Sequence, residues 1–298
     1  MSPQNSSAEW GDMLDEMQRD KEASAGTRKY WQPPSDKEGT FPIRILPPLR
    51  SKGEKKFYFK HQIHWVDRIP YECLGQDLVD KNGVAHKAED CPICSFVKKL
   101  YRTSEKNTDG WKLAGELRAK DRYDYRVVVR STPEQQNDET KPVFFETGST
   151  IFEMLFHIMK ETDFGIIVDP KNGRDFNLVK KGLKRQSRYD QSLPSPNVSP
   201  IFPDAAKLKA MLDNAMKLDY SSLIEFTSAT EMDKGLHAYI GGEPATATKQ
   251  LAPRPRASEP TGDAEFPDSA KSDDGMPDSA STPGNEDAAI DDILKEFN

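Results

Sequence analysis

The three cysteines of this 298-residue chain constrain its fold more than any other sequence feature. Cys91 and Cys94 form a C-x-x-C pair, and Cys73 lies eighteen residues before that pair. Together with one histidine, three thiolates complete a tetrahedral shell for Zn²⁺. A closed set of four protein ligands is typical of structural zinc, whereas catalytic zinc keeps one position open for water. The pattern therefore predicts one structural zinc site.

The spacing leaves the fourth ligand of this site open. His64 is our first choice, His61 the second and His86 the third. Because His61 and His64 are only three residues apart and both precede Cys73, spacing alone does not separate them. The predicted ligand set is His64, Cys73, Cys91 and Cys94.

Three other interpretations of the cysteines compete with structural zinc. A redox C-x-x-C pair belongs in a βαβ setting, which the preceding sequence lacks, and it leaves Cys73 unexplained. Three unrelated buried thiols are a second alternative. A zinc deaminase needs H-x-E followed by P-C-x-x-C, but His86 and Glu89 have the wrong spacing and Pro92 lies inside the pair. Structural zinc accounts for all three cysteines at once.

The net charge of −7 is distributed unevenly along the chain. Residues 1–27 carry a net charge of −4, residues 28–190 carry +7, residues 191–256 are balanced, and residues 257–298 carry −10. A basic body between acidic ends predicts a surface that binds a polyanion, with an acidic tail attached. A charge-mixed, solvated surface with a solubilising tail is the alternative.

Composition bounds the class of protein. Hydrophobic residues make up 35% and charged residues 31% of the chain, so we expect part of it to be disordered. No apolar run approaches the roughly 18 residues of a membrane span, and the first residues lack the pattern of a signal peptide. An odd number of cysteines fits a reducing compartment better than a disulfide framework. We therefore expect a cytosolic protein.

Periodicity predicts a mainly β protein with added helices. Alternating or β-branched stretches predict strands, and apolar residues at helical spacing predict helices. The expected strands are 41–46, 57–65, 123–129, 143–145, and a pair at 164–168 and 175–179 joined by a turn at 170–173. The expected helices are 5–24, 96–101, 149–160 and 204–217, with a loop at 74–90. Short strands with an interposed helix are compatible with a small β-barrel of the OB type.

These elements suggest three regions. Residues 1–27 form an N-terminal arm whose helix is expected to dock on a partner or on a neighbouring copy. Residues 28–242 form the core, with a zinc subdomain at about 57–101. Residues 243–298 are rich in Pro, Ala, Ser, Thr and Asp and are expected to be a disordered linker with an acidic tail.

Several motifs along the chain, taken together, match one family. They are Ile43-Arg44-Ile45-Leu46-Pro47, the zinc motif, Asn177-Leu178-Val179-Lys180-Lys181, Ser187-Arg188-Tyr189-Asp190, and the acidic tip Asp291-Asp292-Ile293-Leu294. In these motifs the chain resembles the single-stranded DNA-binding (helix-destabilising) proteins of T-even-type tailed phages. Two features depart from the family: the N-terminus is acidic, with Arg19 as its first basic residue, and the spacing from histidine to the first cysteine is shorter.

The resemblance implies a function. It implies an OB-fold core with a zinc subdomain that coats single-stranded DNA without sequence preference during phage replication, recombination and repair, in the cytoplasm of the infected host cell. It also implies that the acidic C-terminus recruits replication and recombination proteins. The residues expected to bind those partners are Asp291, Asp292, Ile293, Leu294 and Phe297.

Binding of single strands requires cations for the phosphates and aromatic faces for the bases. The candidates interleave both residue types: Trp111, Lys112, Arg122, Tyr123, Tyr125, Arg126, Phe145, Lys180, Lys181, Arg185, Arg188 and Tyr189. Tyr189 is the strongest candidate, because basic residues surround it. For every aromatic the alternative is ordinary core packing, and strand alternation makes that alternative strongest for Tyr125 and Phe145.

No catalytic motif is found in the sequence. A Gly-rich phosphate loop, a recognisable carboxylate pair and a Ser/His/Asp order are all missing, so we predict a binding protein and not an enzyme. A zinc-containing nucleic-acid enzyme is the alternative from another class, and it would consume its substrate when a divalent metal is added. A zinc-stabilised transcription or assembly adaptor is a third possibility, and it would prefer duplex DNA or a protein.

Overall fold

A computed structural model describes residues 30–160, 163–183 and 186–241. Its main element is a seven-stranded antiparallel sheet in the order β3-β2-β6-β1-β8-β9, with β7 also paired to β6. The strands of this sheet are β1 (Gly39–Ile45), β2 (Tyr58–Val66), β3 (Ile69–Glu72), β6 (Lys120–Val129), β7 (Val143–Thr147), β8 (Phe176–Lys180) and β9 (Leu193–Pro194). A separate hairpin pairs β4 (Leu78–Val79) with β5 (Ala85–His86). The expectation of a mainly β fold with added helices is confirmed.

Five α-helices are found in the described part of the chain. They are α1 (Pro92–Thr103), α2 (Asp109–Leu117), α3 (Ser149–Lys160), α4 (Ala205–Ala215) and α5 (Ala229–Gly241). Pro92 is at the first position of α1, where the missing N–H has no intrahelical partner to lose. Asp204 caps α4 by accepting a 2.8 Å hydrogen bond from the backbone N–H of Lys207. None of the described helices is long and apolar enough to cross a membrane.

Strand β6 organises the sheet. Its residue Tyr123 pairs with Lys60 of β2 and with Thr147 of β7, so these two strands lie on opposite edges of β6. Further along, the last three residues of β6 pair with β1 instead of β2. A single ten-residue strand thereby joins two halves of the sheet.

The two faces of β6 are both covered. Tyr123, Tyr125 and Val127 belong to an apolar core that α3 closes with Ile151, Leu155 and Ile158. The alternate residues Arg122, Asp124 and Arg126 are buried on the other face. We call this other face, which carries charged side chains at the centre of the sheet, the polar face.

Helices α1 and α2 pack around the end of the β2–β3 hairpin and form a second, smaller core. Val66 and Leu74 of the hairpin region belong to this core together with Ile93 and Val97 of α1. Helix α5 completes this core with Met232 and Leu236, although it lies more than a hundred residues further along the chain. We call this unit the metal subdomain.

The structure differs from the sequence-based expectation in several elements. Residues 164–168 are not a strand. Gly165 adopts a φ of 65° and Ile166 is exposed, whereas Ile167 and Val168 are buried in the main core. The edge of β8 is taken by β9 from the proline-rich segment instead. Helices α2 and α5 were not expected, and the expected loop at 74–90 contains the β4–β5 hairpin. The expected helix at 5–24 and the tail at 243–298 lie outside the described residues.

Candidate metal centre and nucleic-acid interface

The structure brings His64, Cys73, Cys91 and Cys94 together, with their ligand atoms all within 4.8 Å of one another. His64 Nε2 lies 3.4 Å from the sulfur of Cys91 and 3.4 Å from that of Cys94, and the sulfurs of Cys73 and Cys94 are 3.6 Å apart. Bond lengths of about 2.0–2.1 Å to nitrogen and about 2.3 Å to sulfur place tetrahedral ligands roughly 3.5–3.8 Å from each other. This group has the dimensions to hold one metal ion.

Local structure explains how these ligands meet. Strand β2 carries His64, and a two-residue turn at Asp67 and Arg68, both with positive φ, returns the chain as β3. Such a turn matches the twist of a hairpin, and it brings Cys73 back beside His64. Cys91 immediately precedes α1 and Cys94 lies in its first turn, so the C-x-x-C spacing directs two sulfurs to the same place.

The orientation of the His64 ring favours metal binding. His64 Nδ1 donates a 2.7 Å hydrogen bond to the backbone carbonyl oxygen of Leu117, at the end of α2. Because Nδ1 carries the proton, Nε2 presents its lone pair to the sulfurs. A metal-binding histidine is usually held in this way by a partner at its other nitrogen.

The thiols of the group influence one another's ionisation. Hydrogen bonds with the Cys73 and Cys94 thiols lower the pKa of Cys91 far below its ordinary value, whereas the same kind of contact raises the pKa of Cys94. The Cys91 and Cys94 thiols are thus shifted in opposite directions. A coordinated cation ionises every thiol that binds it, so this environment suits a metal better than it suits three independent thiols.

The two other histidine candidates lie away from the cysteines. His61 is buried, with its Nδ1 2.7 Å from Glu72 and its Nε2 3.3 Å from Asp124. Burial alone lowers the pKa of His61, but the carboxylates of Glu72 and Asp124 outweigh it and raise the pKa to about 10. His86 lies 3.1 Å from Asp80 and stacks on Phe226. The structure therefore separates His64 from its two competitors.

Half of the predicted DNA-binding residues are buried. Tyr123, Tyr125 and Phe145 belong to the main apolar core. Arg122, Arg126 and Lys180 are each only 2% exposed. Lys180 donates hydrogen bonds to the backbone carbonyl oxygens of Pro34 and Lys37. In this conformation these six side chains serve the interior of the protein.

The other described candidates are accessible. Lys112, Lys181 and Arg188 are exposed. Trp111 is half-buried on α2, where its ring lies 4.6 Å from that of Tyr101. Tyr189 is half-buried against the main core, and burial raises its pKa to about 12. Trp111 thus lies on the metal subdomain, whereas Tyr189 packs against the main core. The remaining candidates, Arg185 and the tail residues Asp291, Asp292, Ile293, Leu294 and Phe297, lie outside the described residues.

Comparison with known protein families matches residues 37–239 to the family described as gp32 DNA binding protein like. The match covers the whole sheet, the metal subdomain and nearly all of α5. The chain belongs to the gp32-like DNA-binding protein family. A search of curated proteins found no match.

This gp32-like chain also carries aromatic residues that the sequence analysis did not select. Trp31, Phe57, Tyr58 and Phe152 are partly buried around the main core, and we call them the aromatic rim. Tyr58 contacts Tyr123 edge to face at 5.9 Å between centroids, and Phe152 stacks on Tyr123 at 3.9 Å.

Lysines flank the aromatic rim. Lys56 Nζ lies 5.7 Å from the ring centroid of Tyr58, and Lys60 Nζ lies 5.6 Å from that of Tyr123. Lys55, Lys56 and Lys60 are exposed. The sequence signal for this region is a run of three aromatic residues, 57–59, flanked by Lys55, Lys56 and Lys60; its strand pattern alone does not indicate DNA binding.

Proposed function

We propose that this protein binds single-stranded DNA without sequence preference. The observation that carries the proposal is its membership of the gp32-like DNA-binding family across residues 37–239. The aromatic rim and its lysines supply the two kinds of contact that such binding needs: aromatic faces for the bases and cations for the phosphates. Stacking tolerates any base, since every base has a π-face.

The surface proposed for DNA combines candidates predicted from the sequence with residues of the aromatic rim. From the sequence-based set it keeps the accessible residues Lys181, Arg188 and Tyr189, and it adds Tyr58 with Lys56 and Lys60. Tyr58 and Tyr189 both pack against the same apolar core, and we propose that one DNA strand contacts both. Trp111 and Lys112 on the metal subdomain are a separate candidate contact, and Arg185 is kept as a candidate beside Arg188.

We propose that the sheet is an OB-type core and that residues 28–242 form one DNA-binding unit. The proposal rests on the short antiparallel strands and on β6, which pairs with β1, β2 and β7 at different points along its length. The zinc subdomain at about 57–101 would then include α2 and α5 as well. Zinc is the proposed metal, because soft thiolate ligands select it over Mg²⁺, Ca²⁺ or Mn²⁺.

The biological role that we propose follows from the family resemblance. The protein would coat and protect single strands during phage DNA replication, recombination and repair in the host cytoplasm, and it would not act as an enzyme. Residues 1–27 would be an arm for self-association on DNA. Residues 243–298 would be a disordered tail that recruits replication and recombination proteins through Asp291, Asp292, Ile293, Leu294 and Phe297.

A fluorescence titration against single-stranded and duplex DNA of the same sequence, at two salt concentrations, tests the function. We expect tighter binding to the single strand, little difference between homopolymers, and an affinity that falls steeply with salt. A preference for duplex would instead support an adaptor. Disappearance of the DNA on addition of Mg²⁺ or Mn²⁺ would support a nucleic-acid enzyme.

A further inference from the structure

A second group of metal-ligating side chains lies on the polar face of the sheet, apart from the cysteines. It consists of His61 on β2, Asp124 on β6 and Glu146 on β7, and one ligand atom from each lies within 4.8 Å of the others. All three side chains are buried. Asp124 and Glu146 stand directly opposite each other in the β6–β7 register, so two carboxylates share one enclosed space.

The polar atoms of Asp124 and His61 point to a missing ligand. The Asp124 side chain is fully buried, yet neither of its oxygens has a hydrogen-bond partner among the described residues. Burial of a carboxylate without such partners is very unfavourable. His61 Nε2 also lacks a well-formed hydrogen bond, and its closest recorded contact on this face is the 3.3 Å ion pair with Asp124 Oδ2. Arg122 lies opposite His61 in the strand register, but it does not provide the missing hydrogen bonds to Asp124.

The distance between these two side chains fits shared coordination better than a hydrogen bond. His61 Nε2 and Asp124 Oδ2 are 3.3 Å apart, whereas charge-assisted hydrogen bonds are about 2.7–2.9 Å long. Two ligands that each lie about 2.1 Å from one ion, roughly 100° apart, are separated by about 3.2 Å. The spacing observed here is that of neighbouring ligands on one cation.

The other nitrogen of His61 is held as metal-binding histidines usually are. Nδ1 lies 2.7 Å from Glu72 Oε2, so the ring can donate its Nδ1 proton to this carboxylate. Against the effect of burial, the neighbouring carboxylates raise the pKa of His61 to about 10, so a cation that binds at Nε2 displaces the proton held there. This is the carboxylate–histidine–metal arrangement, in which the outer carboxylate orients the ring and increases its basicity.

We propose that His61, Asp124 and Glu146 bind a second divalent cation, distinct from the ion of the cysteine site. One imidazole nitrogen and carboxylate oxygens are a harder ligand set than three thiolates, and they suit Mn²⁺. Because the site is enclosed, the role of the ion is structural. It joins β2, β6 and β7 at the centre of the sheet and balances the charge of the buried carboxylates.

Metal analysis of the full-length protein tests this proposal, with Mn²⁺ as the probe. The protein is produced in cells supplied with both Zn²⁺ and Mn²⁺, so that ions enter during folding, and is then dialysed without chelator. We expect one zinc and one manganese per chain by mass spectrometry of the metals. We expect Asp124→Asn and Glu146→Gln to lose the manganese and keep the zinc.

Asp121→Asn is the matched control, because Asp121 lies on the same strand but forms an ion pair with the exposed Lys60 instead of joining this group. It should keep both ions. Parent protein that contains one zinc and no second divalent ion overturns the proposal, whatever the variants do, whereas a second zinc in place of manganese supports the site, because nitrogen and oxygen ligands bind Zn²⁺ more tightly than Mn²⁺. Manganese that survives in Asp124→Asn also overturns it, since the ion then lies elsewhere on the protein. Retained zinc shows that a variant has folded.

Discussion

Arg126 donates a 2.8 Å hydrogen bond to each of the two carboxylate oxygens of Glu54, which makes a bidentate ion pair. The same guanidinium donates to the backbone carbonyl oxygen of Leu218 and lies over the ring of Tyr220, 4.2 Å from its centroid. The sequence predicts Arg126 as a DNA contact. Its geometry instead ties β6 to two segments that lie far from it in the sequence.

Removal of Arg126 should therefore affect stability first. We expect Arg126→Ala to lower the free energy of unfolding by about 3 kcal/mol, because the Glu54 carboxylate is left without its cation; this is the low end for buried pairs, since Glu54 keeps some contact with water. Urea denaturation measures the change. Lys112→Ala, at an exposed position, is the control and should stay within about 0.5 kcal/mol of the parent.

The double variant Arg126→Met with Glu54→Leu distinguishes the net contribution of the ion pair to stability from the cost of leaving one charged partner unpaired. Replacement of both charged partners by apolar side chains is often neutral, so the double variant should recover most of the stability lost by Arg126→Ala. Parent-like stability of Arg126→Ala combined with weak DNA binding would show that Arg126 contacts phosphate instead.

The cysteine site should contain one zinc per chain. Cys91→Ser and His64→Ala should lose it, since each removes a ligand from a closed set. Chelation should lower the melting temperature, because binding to such a site is coupled to folding. Metal analysis and thermal melting, with and without chelator, measure both effects. Purified protein without zinc would contradict the assignment, and His86→Ala, which changes a histidine away from the cysteines, should keep the metal.

Loss of stacking should weaken DNA binding without unfolding the protein. Tyr189→Ala and Tyr58→Leu should each cost about 1–3 kcal/mol of affinity for single-stranded DNA. Tyr125→Phe is the control: Tyr125 is fully buried, so the loss of its hydroxyl should leave affinity unchanged. Fluorescence titration gives the affinities, and circular dichroism checks the fold. Parent-like binding by both Tyr58→Leu and Tyr189→Ala would rule out this surface.

The exposed lysines should set the salt dependence. Lys181→Ala and Lys56→Ala should each reduce the slope of log affinity against log salt by about 0.7, the value for one phosphate contact on a single strand. Titrations at four salt concentrations measure this slope. The exposed Lys171, on the turn before β8, is a control of the same type, and its replacement by alanine should leave the slope unchanged. An unchanged slope in Lys181→Ala would remove that residue from the proposed surface.

The acidic tail should compete with DNA. Residues 257–298 carry a net charge of −10 and residues 28–190 carry +7. A flexible linker can hold a tethered segment at an effective concentration in the millimolar range. A chain that ends near Ala257 should therefore bind DNA more tightly, most of all at low salt, where screening is weakest. Equal melting of duplex DNA by the two forms at low salt would exclude this competition.

Local patterns explain which parts of the fold could be predicted. The strands containing Ile43 and Val127 alternate or consist of β-branched residues, and the helix at 149–160 repeats its apolar residues at helical spacing, so neighbouring residues carry the signal. The apolar run at Ile166, Ile167 and Val168 satisfied the same test and is a loop. The distant residues Leu193 and Pro194 supply the strand that pairs with β8 instead. No local sequence pattern shows which of two segments will pair with that edge.

The zinc ligands show the same division within one site. The C-x-x-C spacing alone places Cys91 and Cys94 in one helical turn. An offset of three along a strand puts His61 and His64 on opposite faces, but which face meets the cysteines depends on how α1 packs against the hairpin. Only the assembled structure shows His64 beside the sulfurs and His61 between Glu72 and Asp124.

The sequence by itself therefore determined the chemistry: three thiolates in a metal-binding pattern, a basic body with an acidic tail, and interleaved aromatic and basic residues. The tertiary structure decided which of those residues face solvent. Arg122 and Arg126 lie on one face of β6 and Tyr125 on the other, and both faces are buried, so neither face is left to DNA. Burial and pairing depend on contacts between residues far apart in the chain, and for this reason spacing along the sequence could not reveal them.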